Sequence, residues 1–289
     1  MKYLVSAILA MFICISCTSS SGSGTAGEET KVAVVTAPKA KEPVYKTVFI
    51  PQLLKETVYH EQDFVKSTTE YIYDNDLLVK TVLSDTYGDP LETKTYEYKG
   101  SALPIKENVY NASGELTGYT VYEYDIYGNC VSSIGYDEKG NRRIGNKYTY
   151  DDASNRTRWE ILDEQGTVMS ITDYNYEDGK NVKIENKNAA GILEEYYEIA
   201  YKDGKPSQKS YFTSKSVITG SEEYSYSGNE LSECKYKRAN GSVKRIEKYS
   251  YDEHGSVVKI EYSDNTGTIQ ETVLKEYTYN EKTVEVKGE

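Results

Sequence analysis

Along most of the chain, large side chains alternate with small or charged ones at a period of two, the pattern of a β-strand with one packed face and one wet face. Glu247-Lys248-Tyr249-Ser250-Tyr251-Asp252 and Val121-Tyr122-Glu123-Tyr124-Asp125 show it most plainly. The Tyr-x-Tyr step recurs as Tyr71/Tyr73, Tyr96/Tyr98, Tyr122/Tyr124, Tyr148/Tyr150, Tyr174/Tyr176, Ile199/Tyr201, Tyr224/Tyr226, Tyr249/Tyr251 and Tyr277/Tyr279. Its second positions are 25, 26, 26, 26, 25, 25, 25 and 28 residues apart. Between successive steps stands a glycine, at Gly88, Gly114, Gly140, Gly166, Gly191, Gly241 and Gly267, with Lys215-Ser216 where one more is due. A fixed period of this length predicts an array of like units, each burying its face against its neighbours.

Each unit reads as two strands and two turns. After the second tyrosine comes a polar turn such as Asp125-Ile126-Tyr127-Gly128-Asn129 or Asp252-Glu253-His254-Gly255, whose Asp, Asn and Gly tolerate the positive φ of a tight reversal. A more variable strand follows, for example Val257–Tyr262, and then a second turn such as Asp137-Glu138-Lys139-Gly140-Asn141. Connections this short exclude parallel crossovers. The expected fold is therefore all-β: a repetitive antiparallel hairpin meander of about 18 strands, curved or spiralling, over residues 45–289, in nine units of about 25 residues with half units at the ends.

Tyr124-Asp125-Ile126-Tyr127-Gly128-Asn129, Tyr150-Asp151 and Tyr251-Asp252-Glu253-His254-Gly255 resemble the YD or RHS-type repeat, and the resemblance covers about residues 45 to 289. Copies drift: Lys99, Glu177 and Ser227 stand where the repeat has Asp. The resemblance implies a spiralling β-sheet shell, which in large members encloses a toxin domain; this chain is short and ends within its own repeats.

Both ends of the array read as caps. Tyr59 lies 14 residues before Tyr73, as Tyr110 does before Tyr124, so the array opens on a half unit. Thr283–Val286 supplies a last short strand followed by charges, a device that discourages pairing at an open edge. Both tyrosines of a step share one face while Glu123, Thr149, Asn175, Ser225 and Thr278 take the other. That pattern predicts an aromatic face of tyrosine ladders, a wet opposite face, and a sheet curled round its tyrosines as an arch or partial spiral. The candidate binding face, which doubles as the core, is Tyr98, Tyr122, Tyr124, Tyr148, Tyr150, Trp159, Tyr174, Tyr176, Tyr224, Tyr226, Tyr249 and Tyr251.

Composition narrows the function. Thirty tyrosines in 289 residues fit one repetitive architecture better than two ordinary domains. A net charge of −12 argues against nucleic acid as a partner. Two histidines and four cysteines leave little for a dense metal site, and no cofactor is expected. Residues 1–16 read as an export signal, with Lys2 and then the apolar run Leu4–Ile15, too short for a permanent membrane span. Ser16-Cys17 followed by a Ser/Gly stretch looks like a bacterial lipoprotein signal, in which Cys17 is acylated, although Cys14 sits where such motifs carry Leu. Residues 17–44 are then a lipidated, flexible tether. The expected address is the bacterial cell envelope, at the outer membrane or cell surface, with the membrane reached through the lipid.

The remaining residues offer little chemistry. Cys130 and Cys234 lie four units apart, and eight strands at about 4.8 Å separate them by roughly 38 Å, too far for a disulfide. His60 and His254 fall in unlike loops and read as solvated. Asp125, Asp151, Asp152 and Asp252 are explained by turn formation, not by a metal. Trp159, near Arg142, Arg143, Arg156 and Arg158, reads as a wide core ring with arginines over it. No phosphate loop or serine elbow occurs. Three functions follow: a non-catalytic binding or scaffold module for a polysaccharide or envelope protein; a remnant or companion of an RHS-type toxin system; and, least supported, a polysaccharide-acting enzyme. A membrane-spanning barrel is disfavoured because the face opposite the tyrosines carries charges and amides.

Overall fold

A computed structural model describes residues 44–286 apart from Gln62, so the signal, Cys17 and most of the tether lie outside the described residues. Among the described residues every regular element is a strand. The chain runs β1 (Val44–His60), β2 (Phe64–Asp74), β3 (Leu77–Ser84), β4 (Pro90–Tyr98), β5 (Pro104–Asn111) and β6 (Leu116–Tyr124). It continues through β7 (Cys130–Asp137), β8 (Arg142–Tyr150), β9 (Arg156–Leu162), β10 (Val168–Glu177), β11 (Lys180–Asn188) and β12 (Leu193–Lys202). Last come β13 (Lys205–Thr213), β14 (Ile218–Ser227), β15 (Glu230–Arg238), β16 (Val243–Tyr251), β17 (Val257–Asp264) and β18 (Ile269–Val286). The even-numbered strands carry the Tyr-x-Tyr step.

Each strand pairs antiparallel with the next, and β1 pairs with β18 as well as with β2, so the meander closes into an 18-stranded barrel. This corrects the expected arch or partial spiral. The half unit at the start, β1, sits beside the strand at the end that lacks a second half, β18. The Glu61 N–H reaches the Gln270 carbonyl at 3.1 Å and Lys275 pairs with Glu56 at 3.2 Å across this seam. Nor is the last strand a short edge: β18 has 18 residues and β1 has 17, starting at Val44 where a tether was expected.

Two bulges per unit provide the curvature. Pairing slips by one residue immediately before the second tyrosine of a step, at Ile72/Tyr73, Glu97/Tyr98, Glu123/Tyr124, Thr149/Tyr150 and onward to Ser250/Tyr251. It slips again at the other end of the hairpins, for instance at Val109/Tyr110 and Tyr236/Lys237. A bulge bends a strand and increases its twist, and here the bends recur at the same height in unit after unit. One five-residue turn serves both rims, and the tyrosine rim adds a shorter reversal. At the glycine rim, Asp, Asn, Thr or, once, Arg238 opens a five-residue turn whose fourth residue has positive φ; Ser216 (φ 59°) does this where the sequence lacks its glycine. At the tyrosine rim several units use two-residue reversals such as Asp178-Gly179 (φ 49° and 72°).

A single curved layer has no thick core. Among the described residues the well-buried apolar side chains are Ile171, Tyr196, Cys234 and Val273, with Thr81, Asn108, Ser133 and Glu247 among the buried polar ones. Cohesion therefore rests on strand ladders and cross-strand pairs. Two glycines let neighbouring backbones come close: a Cβ on Gly118 would lie 2.5 Å from the Tyr136 carbonyl oxygen, and one on Gly220 2.7 Å from that of Lys237. Gly220→Ala is expected to cost about 1–3 kcal/mol, the usual range for overpacking, read as a lower urea midpoint. An unchanged midpoint would show that the strands separate freely there.

Candidate functional site

The tyrosine face is the surface singled out by the sequence, and its geometry differs from a ladder of stacked rings. The first tyrosine of each step faces a non-tyrosine across the strand pair: Thr81 for Tyr71, Glu107 for Tyr96, Ser133 for Tyr122, Trp159 for Tyr148, Ile184 for Tyr174, Cys234 for Tyr224 and Ile260 for Tyr249. Tyrosines of successive units are two strands, about 9.6 Å, apart, so the intervening strand sets what each ring touches. Nor is the other face merely wet. Tyr119 stacks on Tyr136 there (5.0 Å between centroids), and Tyr196 on Phe212 (4.9 Å).

The second tyrosines act as clamps. The hydroxyls of Tyr98, Tyr124, Tyr150, Tyr176, Tyr201 and Tyr251 donate to the carbonyls of Leu78, Pro104, Cys130, Arg156, Asn181 and Leu231, at 2.7–3.1 Å and always 20 residues back. Each acceptor lies at the start of the preceding strand, beside the bulge. Tyr226 departs from the pattern, with the Lys205 ammonium 5.2 Å over its ring. Burial pushes the phenols of Tyr124 and Tyr150 up to about 12, and raises those of Tyr98, Tyr201, Tyr226 and Tyr251 above the ordinary tyrosine value.

The first tyrosines are held more tightly still. Burial takes Tyr71 and Tyr96 to about 12 and raises Tyr122, Tyr148, Tyr174, Tyr224 and Tyr249 as well. For Tyr224 and Tyr249, hydrogen bonds to the Glu222 and Glu247 carboxylates add to it. Trp159 donates its Nε1–H to Asn146 Oδ1 at 2.9 Å and lies near Tyr148. The arginines do not stack over the indole as expected: Arg156 lies over Tyr174 and Tyr148, while Arg158, on the opposite face, bridges Glu160 and Asp173.

The turn aspartates are occupied by their own loops. Asp125 Oδ1 accepts the N–H groups of Tyr127 and Asn129, and its Oδ2 accepts the Asn129 side chain; Asp151 does the same with Ala153 and Asn155. The side-chain hydrogen bonds, first among several causes, hold both carboxyls below the usual range. Asp152 is exposed. Between these two turns lies a groove of about 390 Å³ that includes Tyr127, Tyr148 and Asp152. Among the described residues no group of three or more potential ligands gathers as a metal centre would.

His254 is exposed in its turn, as the sequence suggested, but its ring also meets two distant strands. Its ring lies 4.5 Å from Phe49 of β1 and 4.3 Å from Tyr279 of β18, and Tyr279 donates its hydroxyl to Asp252. Gln52 and Asn280 both donate to Asp76 Oδ1 nearby, at 3.2 and 2.7 Å. These contacts pin the long β1/β18 pair to the neighbouring turns. His60, at the end of β1, is exposed. Cys130 and Cys234 are both free, on strands eight apart, and burial pushes the Cys234 thiol up to about 12.

No protein-family model matches the chain, and no curated protein does. Among solved structures, a porin-like protein from Bacteroides uniformis ATCC 8492 aligns at 12% identity and a TM-score of 0.43, over 79% of this chain and 98% of that one. The TcdB2-TccC3 structure aligns at 12% identity and a TM-score of 0.28, over 75% of this chain. The chain spans only 15% of that protein's length. Likenesses this faint say nothing about what the chain does.

Proposed function

We propose that the chain is a non-catalytic scaffold of the bacterial cell envelope, tied to a membrane through a lipid on Cys17 and offering its rims to a protein or glycan. The observation supporting this is the commitment of the tyrosines. Sugar stacking needs a ring face open to solvent and a hydroxyl free to bond, whereas six of the second tyrosines spend theirs on backbone carbonyls. Unused aromatic and aliphatic surface lies in turns instead: Tyr87 is 87% exposed, Ile126 91% and Tyr127 79%. Ion pairs occupy both faces of the wall, Lys94–Glu107 and Arg245–Glu247 on the tyrosine side, Lys187–Asp173 and Lys235–Glu233 on the other. That distribution suits water on both sides better than a lipid-facing band.

Two variants test the reading. Cys17→Ala is expected to abolish incorporation of labelled palmitate and to shift the protein from the membrane to the soluble fraction. Tyr124→Phe and Tyr150→Phe, which remove one hydroxyl each, are expected to lower unfolding free energy by about 1 kcal/mol apiece while leaving cross-linked capture of envelope partners intact. Lost capture at unchanged stability would restore the tyrosines as a binding face and overturn the scaffold.

A further inference from the structure

On β12, β14 and β16 a glutamate precedes a tyrosine by two residues, so both side chains share the tyrosine face: Glu195/Tyr197, Glu222/Tyr224 and Glu247/Tyr249. In all three pairs the phenol donates to the carboxylate, at 2.5 Å for Tyr197 and 2.6 Å for Tyr249. Glu222 also accepts the hydroxyl of Tyr211 from β13, so one carboxylate holds two phenols. The flanking carboxylates have other claims on them. Glu247 binds the Arg245 guanidinium at 2.6 Å, and Glu195 accepts the Asn186 amide at 2.9 Å. Among the described residues no Lys, Arg or His comes within ion-pair distance of Glu222; the Lys209 ammonium lies over the rings of Tyr197 and Tyr211, at 4.7 and 5.2 Å.

A phenol that loses an electron becomes a strong acid. Its oxidation in a desolvated place is easiest where a base already holds the hydrogen bond, because the proton leaves as the electron does and no buried charge accumulates. Carboxylates meet that need and amide carbonyls do not, which separates these tyrosines from the carbonyl-clamped ones. We infer that the Tyr211–Glu222–Tyr224 node is the site at which this protein is first modified by one-electron oxidants. The oxidant gains one electron, the phenolic O–H bond of Tyr211 or Tyr224 breaks, an O–H bond forms on Glu222, and a neutral phenoxyl radical remains. One carboxylate takes one proton, so each node yields one radical. This role is separate from the scaffold reading and does not depend on it.

The test uses the full chain, flash-quench oxidation by a tris(bipyridine)ruthenium complex, and nitrogen dioxide to trap tyrosyl radicals as nitrotyrosine for peptide mapping. Nitration is expected at Tyr211 and Tyr224 ahead of Tyr87 and Tyr127, although those two are 87% and 79% exposed. Glu222→Gln keeps the shape and removes the base. It is expected to slow the fast phase of tyrosyl absorbance at least about tenfold and to erase its solvent deuterium effect. If that variant fails to fold, Tyr211→Phe/Tyr224→Phe asks the same question: the fast phase should vanish while the other tyrosines still react. Nitration that follows exposure, with Tyr87 and Tyr127 first, overturns the inference, as does a fast phase that survives either variant.

Discussion

Between about pH 10 and pH 12 the folded protein is expected to come apart in one cooperative step. The tyrosines carry this expectation. An unfolded phenol ionises near the ordinary value of 10.0, whereas burial holds Tyr71, Tyr96, Tyr124 and Tyr150 protonated to about 12 and others of the set higher still. A group that keeps its proton more tightly when folded lends stability in full below the unfolded value and loses it as pH climbs through the folded one. Burial of the Cys234 thiol, pushed up to about 12, works in the same direction. Because the affected phenols recur round the whole barrel, their ionisation strains every unit at once. The check is a pair of titrations on one sample, phenolate absorbance and far-ultraviolet circular dichroism. The late phenolate step should coincide with loss of β signal. Phenols that all ionise while the β signal stays intact would mean that burial of the rings contributes little.

Deleting Val44–His60 should have the second large effect. At the seam strands from opposite ends of the described chain meet, and without β1 both β2 and β18 present unpaired edges. Such edges recruit other strands. The loss also takes away Phe49 from His254, Glu56 from Lys275 and the buried Thr57. Light scattering after size exclusion should show the truncated chain in larger species than the full one, with a lower and broader melting transition. A truncated chain of unaltered particle size and melting point would mean that closure adds nothing to the remaining hairpins.

How far the sequence reached can be argued from these same elements. Strand number, antiparallel order and both turn registers follow from local signals: alternation round Tyr122/Tyr124, turn chemistry at Asp125–Asn129, and spacing. Even the missing glycine was legible as a place, and Ser216 occupies it with a left-handed φ. Closure was not legible, because alternation dictates which strands are neighbours and says nothing of accumulated curvature. That curvature comes from bulges whose extra residues, mostly β-branched as at Val79, Ile105, Val131 and Thr157, look like ordinary strand residues in the sequence. The resemblance between Tyr59 and Tyr110 did hold the clue, since both sit at a register slip, at Val58/Tyr59 and Val109/Tyr110. An opening half unit needs a closing one, and β18 provides it. The tyrosine face was found, but its rings were assigned to one another when hydroxyl geometry commits them to carbonyls and carboxylates. The contacts of His254 with Phe49 and Tyr279 were not legible, because the pattern of one turn cannot reveal a distant strand beside it.

The seam also alters what tandem duplication does to this protein. In an open solenoid an added copy lengthens the rod. Here each copy contributes two staves of about 9.6 Å to a hoop, so gain or loss of a copy changes girth and bore while the height of the wall stays fixed. Repeat number thus sets a diameter, and relatives with eight or ten copies would be narrower or wider rings built from the same parts.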